Sequence, residues 1–484
     1  MTNMNVLVAA MRCEWRILRL DPALWLVLAM ILGMVAYALY NGETLVARQA
    51  AAVAAANTEE QERLAKLRKG LADIQAGRVA PPDAPFRDPR NALFVGGGSA
   101  AANVALPAQP LAITAIGQSD LYPATLRVSA GSKDTFFFAD EIANPAHLLS
   151  GSFDLAFVLV FIYPLWILAL TYNLVSGERE QGTLALTASC PVQVRTVMAG
   201  KLLVRAGIPM LVTVAAVFAG LALIVGGTLV SAVQPLAVLS WAMIVYGAFW
   251  AVLAAAVNGL GRDSAYNALL LVAAWIGVLL IVPSLVNAWS EARYPSPSRA
   301  EMVLAVRAAS VDADRERNAA LARYQDEHPQ ETELQRGSYR ERTLRRLAVQ
   351  LAATAHSEEI MAAHEAQIQR QHALAERLAY ASPALLMHDA LAEIAGTGRS
   401  RYRAFFAQVD RFHQEWREFF ISRAQAEQML TAGDYSHFPQ FSFADNPGTG
   451  ILSRVASALI GIGVPFLLLA AMAARGLRRC RVVG

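Results

Sequence analysis

Residues 206–225 read AGIPMLVTVAAVFAGLALIV, a run without a single charged side chain. A helix needs about 20 mostly apolar residues to cross the hydrocarbon core of a bilayer, so this stretch predicts a membrane-spanning helix. The composition agrees, since 55% of the 484 residues are hydrophobic and the mean hydropathy is +0.35. The sequence therefore predicts an integral membrane protein.

Five further apolar runs resemble residues 206–225, and together the six predict the membrane helices. The first lies at 23–40, spans two to five lie within 153–288, and the sixth lies at 451–474. Spans two to five are expected at about 153–174, 206–225, 236–257 and 268–286. Two large polar inserts, 41–152 and 289–450, separate these groups, and a basic tail, 475–484, follows the last span.

Residues 1–22 predict an amphipathic helix that lies in the membrane interface. An apolar face is formed by Leu7, Met11, Trp15 and Leu18, and a basic face by Arg12, Arg16 and Arg19. A basic face opposite a Trp/Leu face is typical of interfacial helices. Asp21-Pro22 then favours a break before the first span. The alternative is a plain helical extension of that span.

The inserts are polar and contain several helical patterns. Residues 47–74 predict a helix in the first insert, whereas 75–150 has no clear pattern beyond possible short strands in 104–138. The second insert predicts helices at 298–327, 331–379 and 399–429, with a break at His328-Pro329. The third carries an apolar and aromatic stripe at helical spacing: Tyr402, Phe405, Val409, Phe412, Trp416 and Phe420. The stripe predicts the packing face of a helical bundle, with a ligand-stacking surface as the alternative.

The distribution of basic residues predicts the orientation. Lys and Arg flank the spans on one side, at Arg12, Arg16, Arg19, Arg179, Arg195, Lys201, Arg205, Arg262, Arg475, Arg478, Arg479 and Arg481. The short link at 226–234 on the other side has none. Under the positive-inside rule both termini and residues 175–201 are expected to be cytoplasmic and both inserts extracytoplasmic. The predicted fold class is therefore an all-α membrane protein: six transmembrane helices with two large extracytoplasmic inserts, the second a helical bundle.

This orientation also places the cysteines. Cys13, Cys190 and Cys480 would all face the cytoplasm, where thiols stay reduced, so we expect no disulfide. Their spacing forms no metal-binding pattern.

Residues 175–201, VSGEREQGTLALTASCPVQVRTVMAGK, form the most polar connection between two adjacent spans. A short helix is expected to start near Gly182 and to run to Cys190-Pro191. Glu178 and Glu180 offer carboxylates to a basic partner, and Arg179 offers a guanidinium to an acidic one. The same residues also suit a solvated loop whose charges only keep it out of lipid, and the residues alone leave both interpretations open.

The motif in this loop resembles that of the permeases of type-2 ATP-binding-cassette (ABC) transporters. Their loop reads roughly E-(x)-G-T-L, then an apolar helix, then P-V and G-K. The chain matches at residues 177–184, at Pro191-Val192 and at Gly200-Lys201. Residues 382–386, SPALL, and 393–397, EIAGT, are similar to a subfamily with a large helical insert before its last span and no established function.

The resemblance implies a permease that is driven by a separate cytoplasmic ABC ATPase dimer. That dimer would dock on the loop at Glu178, Arg179, Glu180, Gly182, Thr183 and Leu184. ATP and Mg would be bound by the ATPase, so the chain is expected to be no enzyme and to need no cofactor of its own. A second permease copy or a paralogous permease, membrane lipid and a periplasmic partner are the other expected contacts.

Two functions remain open in the sequence. The chain could move an amphipathic or large substrate, because its spans carry almost no charge at mid-membrane and so do not suit an ion relay. Alternatively, it could pass ATP-driven motion to a periplasmic partner without transport, and the resemblance also connects it with siderophore and metalloenzyme systems.

Other function classes find no support in the sequence. It has no G-x-x-x-x-G-K-[ST] motif for a nucleotide and no catalytic motif in its spans. His356, His364 and His372 recur every eight residues, which turns them to different sides of a helix. A net charge of +3 is too small to argue for nucleic acid.

Overall fold

A computed structural model of the protein describes residues 3–131, 153–189, 193–227, 232–295, 299–316, 339–445 and 451–478, with a few positions between 319 and 326. The predicted break at His328-Pro329, the Pro191-Val192 pair, Cys190 and Cys480 lie outside the described residues. Cys13 is a free, exposed thiol.

Among the residues that the structure describes, six helices are long and apolar enough to cross a membrane, which supports the predicted helical, multi-pass membrane protein. The first is α2, Pro22–Gln75. The second, α3, comprises Leu155–Phe157, a π-helical turn at Val158–Ile162 and Tyr163–Thr171. The others are α6, Val194–Val225; α7, Val233–Asn258; α8, which comprises Ser264–Ile276, Gly277–Ile281 and Val282–Arg293; and α13, Ile451–Arg478.

The remaining elements lie before, between and beyond these spans. They are α1, Asn3–Leu18; β1, Ala102–Ala105; β2, Thr125–Val128; α4, Ser176–Glu180; α5, Thr183–Ser189; α9, Arg299–Arg315; α10, Tyr339–Leu378; α11, Pro383–Ala395; and α12, Arg399–Gln425. Short helical turns occur at Pro85–Arg87, Ala92–Phe94, Val95–Ser99, Ala112–Thr114, Ala379–Ala381 and Asp434–Ser436.

The first span and the first helix of the insert are one continuous element. Separate helices were expected at 23–40 and 47–74, but α2 has 54 residues and runs through both. At 1.5 Å per residue it is about 80 Å long, far more than the bilayer core requires. The helix continues through Gly42 without a break. Glycine is required at this position for packing, because a Cβ there would collide with the backbone of Ile113. The helix therefore carries the chain directly from the membrane region into the first insert.

Residues of the two inserts, 41–152 and 289–450, contribute to one hydrophobic core. The stripe on α12 is buried as a packing face, except for the half-buried Tyr402. Its partners include Leu71 of α2, Val104 of β1 and Leu126 of β2. β1 and β2 pair antiparallel, with Val104 opposite Leu126. The stripe therefore packs the two inserts against each other. It is more than the inner face of a bundle in the second insert.

Residues 382–397 pack against the membrane helices, although they belong to the second insert by sequence. Ser382 caps α11 and also donates a hydrogen bond of 2.8 Å to the Val278 carbonyl of α8. Met387, Ile394 and Ala395 are fully buried in the same core as the spans. Gly396 ends α11 in a left-handed conformation, φ +74°. The resembling SPALL and EIAGT segments thus mark the two ends of a helix that anchors the insert to the bundle.

Candidate functional site

The loop predicted to contact an ATPase folds into two short helices at one end of the bundle. After α3 ends, the chain turns and forms α4, which carries Glu178, Arg179 and Glu180. Gly182 has φ +74°, a conformation that favours glycine, and α5 starts directly after it at Thr183. The Thr183 hydroxyl donates to the Glu178 carbonyl at 3.1 Å and holds the corner between the helices.

A buried ion network connects α4 with α1 and α6. Glu178 pairs with Lys201 of α6, whose ammonium also lies 3.1 Å from Glu14 of α1. Glu14 is only 1% exposed and also pairs with Arg205. Arg205 donates a further hydrogen bond of 2.7 Å to Asn173. Two acids and two bases thus compensate one another where buried charges would otherwise be costly.

The glycine of the Gly200-Lys201 pair has a packing role. A Cβ on Gly200 would lie 3.0 Å from the Cβ of Ala10 and 3.1 Å from the Leu7 carbonyl. Glycine therefore allows α1 to approach α6 closely, which brings Glu14 to Lys201. The predicted apolar face of α1 is divided as a result, because Leu18 is buried in protein while Trp15 remains exposed.

The other two charged residues of α4 bind the turn between α7 and α8. Arg179 donates to the carbonyls of Gly261 and Arg262. Glu180 accepts hydrogen bonds from the backbone N–H and the hydroxyl of Ser264, at 2.7 and 2.9 Å. The two polar turns at this end of the bundle are therefore one unit. The charges that were expected to meet a partner are engaged within the chain, so their first role is to position α4.

One face of α5 remains exposed. Leu184 points inward and packs with Val175 and Met198. Gly182, Ala185, Leu186 and Ser189 are exposed and recur at steps of three and four, so they share the opposite face. The side chain of Leu186 is 69% exposed. Of the predicted contact residues, Gly182 lies on this face and Leu184 does not.

Comparisons with known proteins match only part of the chain. Residues 299–444 match a family described as a domain of unknown function, DUF3526. No curated protein and no solved structure matches the chain. The match covers the second insert from α9 to beyond α12, including α11. It does not include residues 175–201, the predicted coupling loop.

Two asparagines complete the site and were missed in the sequence. Asn258, at the end of α7, accepts from the Val175 N–H at 3.0 Å and donates to the Thr171 carbonyl at 3.1 Å. Asn267 of α8 donates to Ser176 at 3.2 Å and to Asn258 at 3.4 Å. Both are buried. These amides satisfy the backbone groups freed where α3 gives way to α4. A signal existed, since Asn267 is a polar residue at the edge of an apolar run.

The described residues at this end of the bundle form an exposed helix face next to buried polar contacts. Among the residues that the structure describes, no group of three His, Cys, Asp or Glu side chains could hold a metal ion. What the site offers instead is an exposed helix face on a backbone fixed by ion pairs and amide hydrogen bonds.

Proposed function

We propose that the chain is the transmembrane permease subunit of an ABC transporter and that a separate cytoplasmic ATPase drives it through α5. The observation that carries the proposal is the exposed face of α5, held by the contacts of Glu178, Arg179 and Glu180 with α6, the α7–α8 turn and the start of α8. A force applied to α5 would reach α1, α6 and the α7–α8 turn together.

Two further observations support the proposal. The sequence has no phosphate-binding loop, so the energy must come from another chain. The two inserts pack against each other, which requires that both lie on the same side of the membrane. We propose the inner membrane of a bacterium, with both termini and the coupling loop in the cytoplasm, and a second copy or a paralogous permease as the membrane partner.

The test changes one exposed leucine on each polar turn. Leu186→Asp on α5 should abolish co-purification of the ATPase, because a carboxylate on an apolar docking face must be desolvated without a partner. Leu260→Asp is the matched variant on the α7–α8 turn, where the leucine is 54% exposed. ATP hydrolysis by the tagged complex from native membranes gives the readout, and the unfolding temperature in detergent shows that both variants fold.

The two variants distinguish docking on α5 from docking on the α7–α8 turn. Loss with Leu186→Asp alone supports docking on α5, whereas loss with Leu260→Asp alone moves the contact to the α7–α8 turn. Unchanged ATPase recovery in both variants would overturn docking at this end of the bundle. ATP hydrolysis by the purified chain without a second subunit would contradict the proposal altogether. Charge reversal at Glu178 is a poorer probe, since it also breaks the pair with Lys201.

A second function, transfer of motion without transport, is favoured by one observation. α2 runs without interruption from the membrane region into the shared core of the inserts. A tilt of the span would therefore move the insert as a lever, and the inserts could act on a periplasmic partner, including one from a siderophore or metalloenzyme system. ATP-dependent movement of an amphiphile in proteoliposomes would favour transport over this alternative.

A further inference from the structure

A crevice of about 560 Å³ lies where the second insert meets the last span. Its walls come from the end of α10, from α11 and from the start of α12, and its floor includes Ser457 and Ala458 of α13. The volume falls in the roughly 300–1,000 Å³ range of ligand clefts. The crevice lies away from the coupling loop and has no part in ATPase docking.

The floor depends on a close approach of α11 to α13. A Cβ on Gly461 would lie 2.6 Å from Leu386 and 2.9 Å from Tyr380. Glycine at this position therefore allows both side chains to lie directly on the last span. The result is an apolar floor beneath a polar rim.

The rim carries three arginines and three acids, so it is neutral overall: Arg377, Arg399, Arg403, Glu376, Asp389 and Glu393. Glu376 bridges Arg399 and Arg403 at 3.3 and 2.9 Å. Each guanidinium has five N–H donors, so the bridge leaves both able to bind an anion. Burial first, and then the charges of Arg399 and Arg403, lower the pKa of the neighbouring His372, whereas Glu376 raises it.

The wall formed by α11 supplies a negative charge close to Arg399. Asp389 is exposed on α11, and the described part of the chain gives its carboxylate no hydrogen-bond partner. Glu393, by contrast, is held by the backbone and hydroxyl of Ser400. Asp389 is therefore the acid available to a cation, and a ligand that fits must carry both signs of charge.

An exposed apolar strip leads away from the crevice along α13. It consists of Ile460, Val464 and Leu468, which follow Ser457 at steps of three and four residues. Their side chains are 68%, 57% and 64% exposed. A molecule with its head in the crevice could therefore lay an apolar chain on this α13 strip.

We propose that the crevice binds the head group of a zwitterionic amphiphile of the phosphatidylethanolamine kind. The ammonium lies at Asp389, the phosphate at Arg399 and Arg403, and an acyl chain along the α13 strip. The site stands independently of the ATPase, and it requires only that α13 spans the membrane.

The experiment measures lipid retention by the full chain. The protein is released from nanodiscs that contain equal phosphatidylethanolamine and phosphatidylglycerol with the same acyl chains, and bound lipid is counted by native mass spectrometry. We expect a preference for phosphatidylethanolamine. Asp389→Asn should weaken its retention about tenfold, the effect of one charge-assisted hydrogen bond, and should shift the preference towards phosphatidylglycerol. Arg403→Gln should weaken retention of both lipids.

Matched controls are Asp83→Asn and Arg346→Gln, which change exposed residues of the inserts outside the crevice. Both should retain lipid as the unchanged protein does. Equal retention of the two lipids by the unchanged protein, or retention unaffected by Asp389→Asn and Arg403→Gln, would overturn the proposal. Displacement of the lipid by equimolar glycerophosphoethanolamine would show that the acyl chain does not contribute to binding. The occupant would then be a soluble zwitterion. Because no ATPase is present, these outcomes leave the docking proposal untouched.

Discussion

Glu14 shows how a single residue can connect distant parts of the chain. In the sequence it lies among the arginines of an amphipathic helix and looks like one more solvated charge. In the structure it is the most buried member of the network with Lys201 and Arg205. The network fixes α1 to α6 and so gives α1 a structural role that the predicted contact with the membrane surface did not include.

Removal of the Glu14 carboxylate should lower the free energy of unfolding. Glu14→Gln leaves two buried bases with one acid, and loss of one partner from a buried pair costs about 3–5 kcal/mol. We expect a clear fall in the free energy of unfolding in detergent, and a smaller additional loss when Lys201→Gln is combined with it, since the two residues interact. Glu43→Gln, at an exposed site on α2, serves as the control. A Glu14→Gln protein as stable as that control would contradict the role of the network.

The elements themselves were largely predictable, and their contacts were not. Apolar runs placed all six spans, because hydrophobic length is a local property of the sequence. The fifth was expected at 268–286, whereas α8 extends from Ser264 to Arg293, since its polar ends are also helical. A short helix was expected to start near Gly182, and α5 starts at Thr183, but Asn258 and Asn267 were missed. Their roles depend on groups from other helices, which no local pattern reveals.

Because α2 is one continuous helix, the distance between its membrane part and its insert part should be fixed. Spin labels at Leu32→Cys and Glu62→Cys, in a protein without its native cysteines, should lie about 45 Å apart along one straight helix. Pulsed electron resonance should give a narrow distance distribution. Ala47→Pro should broaden it, because proline removes a backbone hydrogen bond and kinks the helix, while Ala47→Ser should not. A broad distribution without proline would mean a hinge near 41–46 and would remove the main support for a lever.

In the whole molecule, a bundle of apolar helices is joined to one body built from both inserts. Hydrogen bonds join the inserts at several points: Tyr435 donates to the Pro89 carbonyl at 2.7 Å, and the Leu430 N–H donates to the Arg90 carbonyl at 2.8 Å. α2 enters this body from the bundle, and α11 returns from it. Motion of the bundle would therefore reach both inserts at once, which is what either proposed function requires.

The shared core predicts that damage to one insert spreads to the other. Trp416 of α12 is buried, packs against Phe420 in a tilted arrangement with ring centroids 5.0 Å apart, and donates to the Gly96 carbonyl at 3.3 Å. Trp416→Ala should destabilise the body by about 3–5 kcal/mol, the usual cost of deleting a large buried aromatic side chain. Hydrogen exchange should then rise in residues 89–130 as well as in 399–445. Trp289→Ala, at a position 66% exposed, should change neither region. Exchange that rises only in 399–445 would show two independent inserts, and a lever acting through α2 could then move only the first.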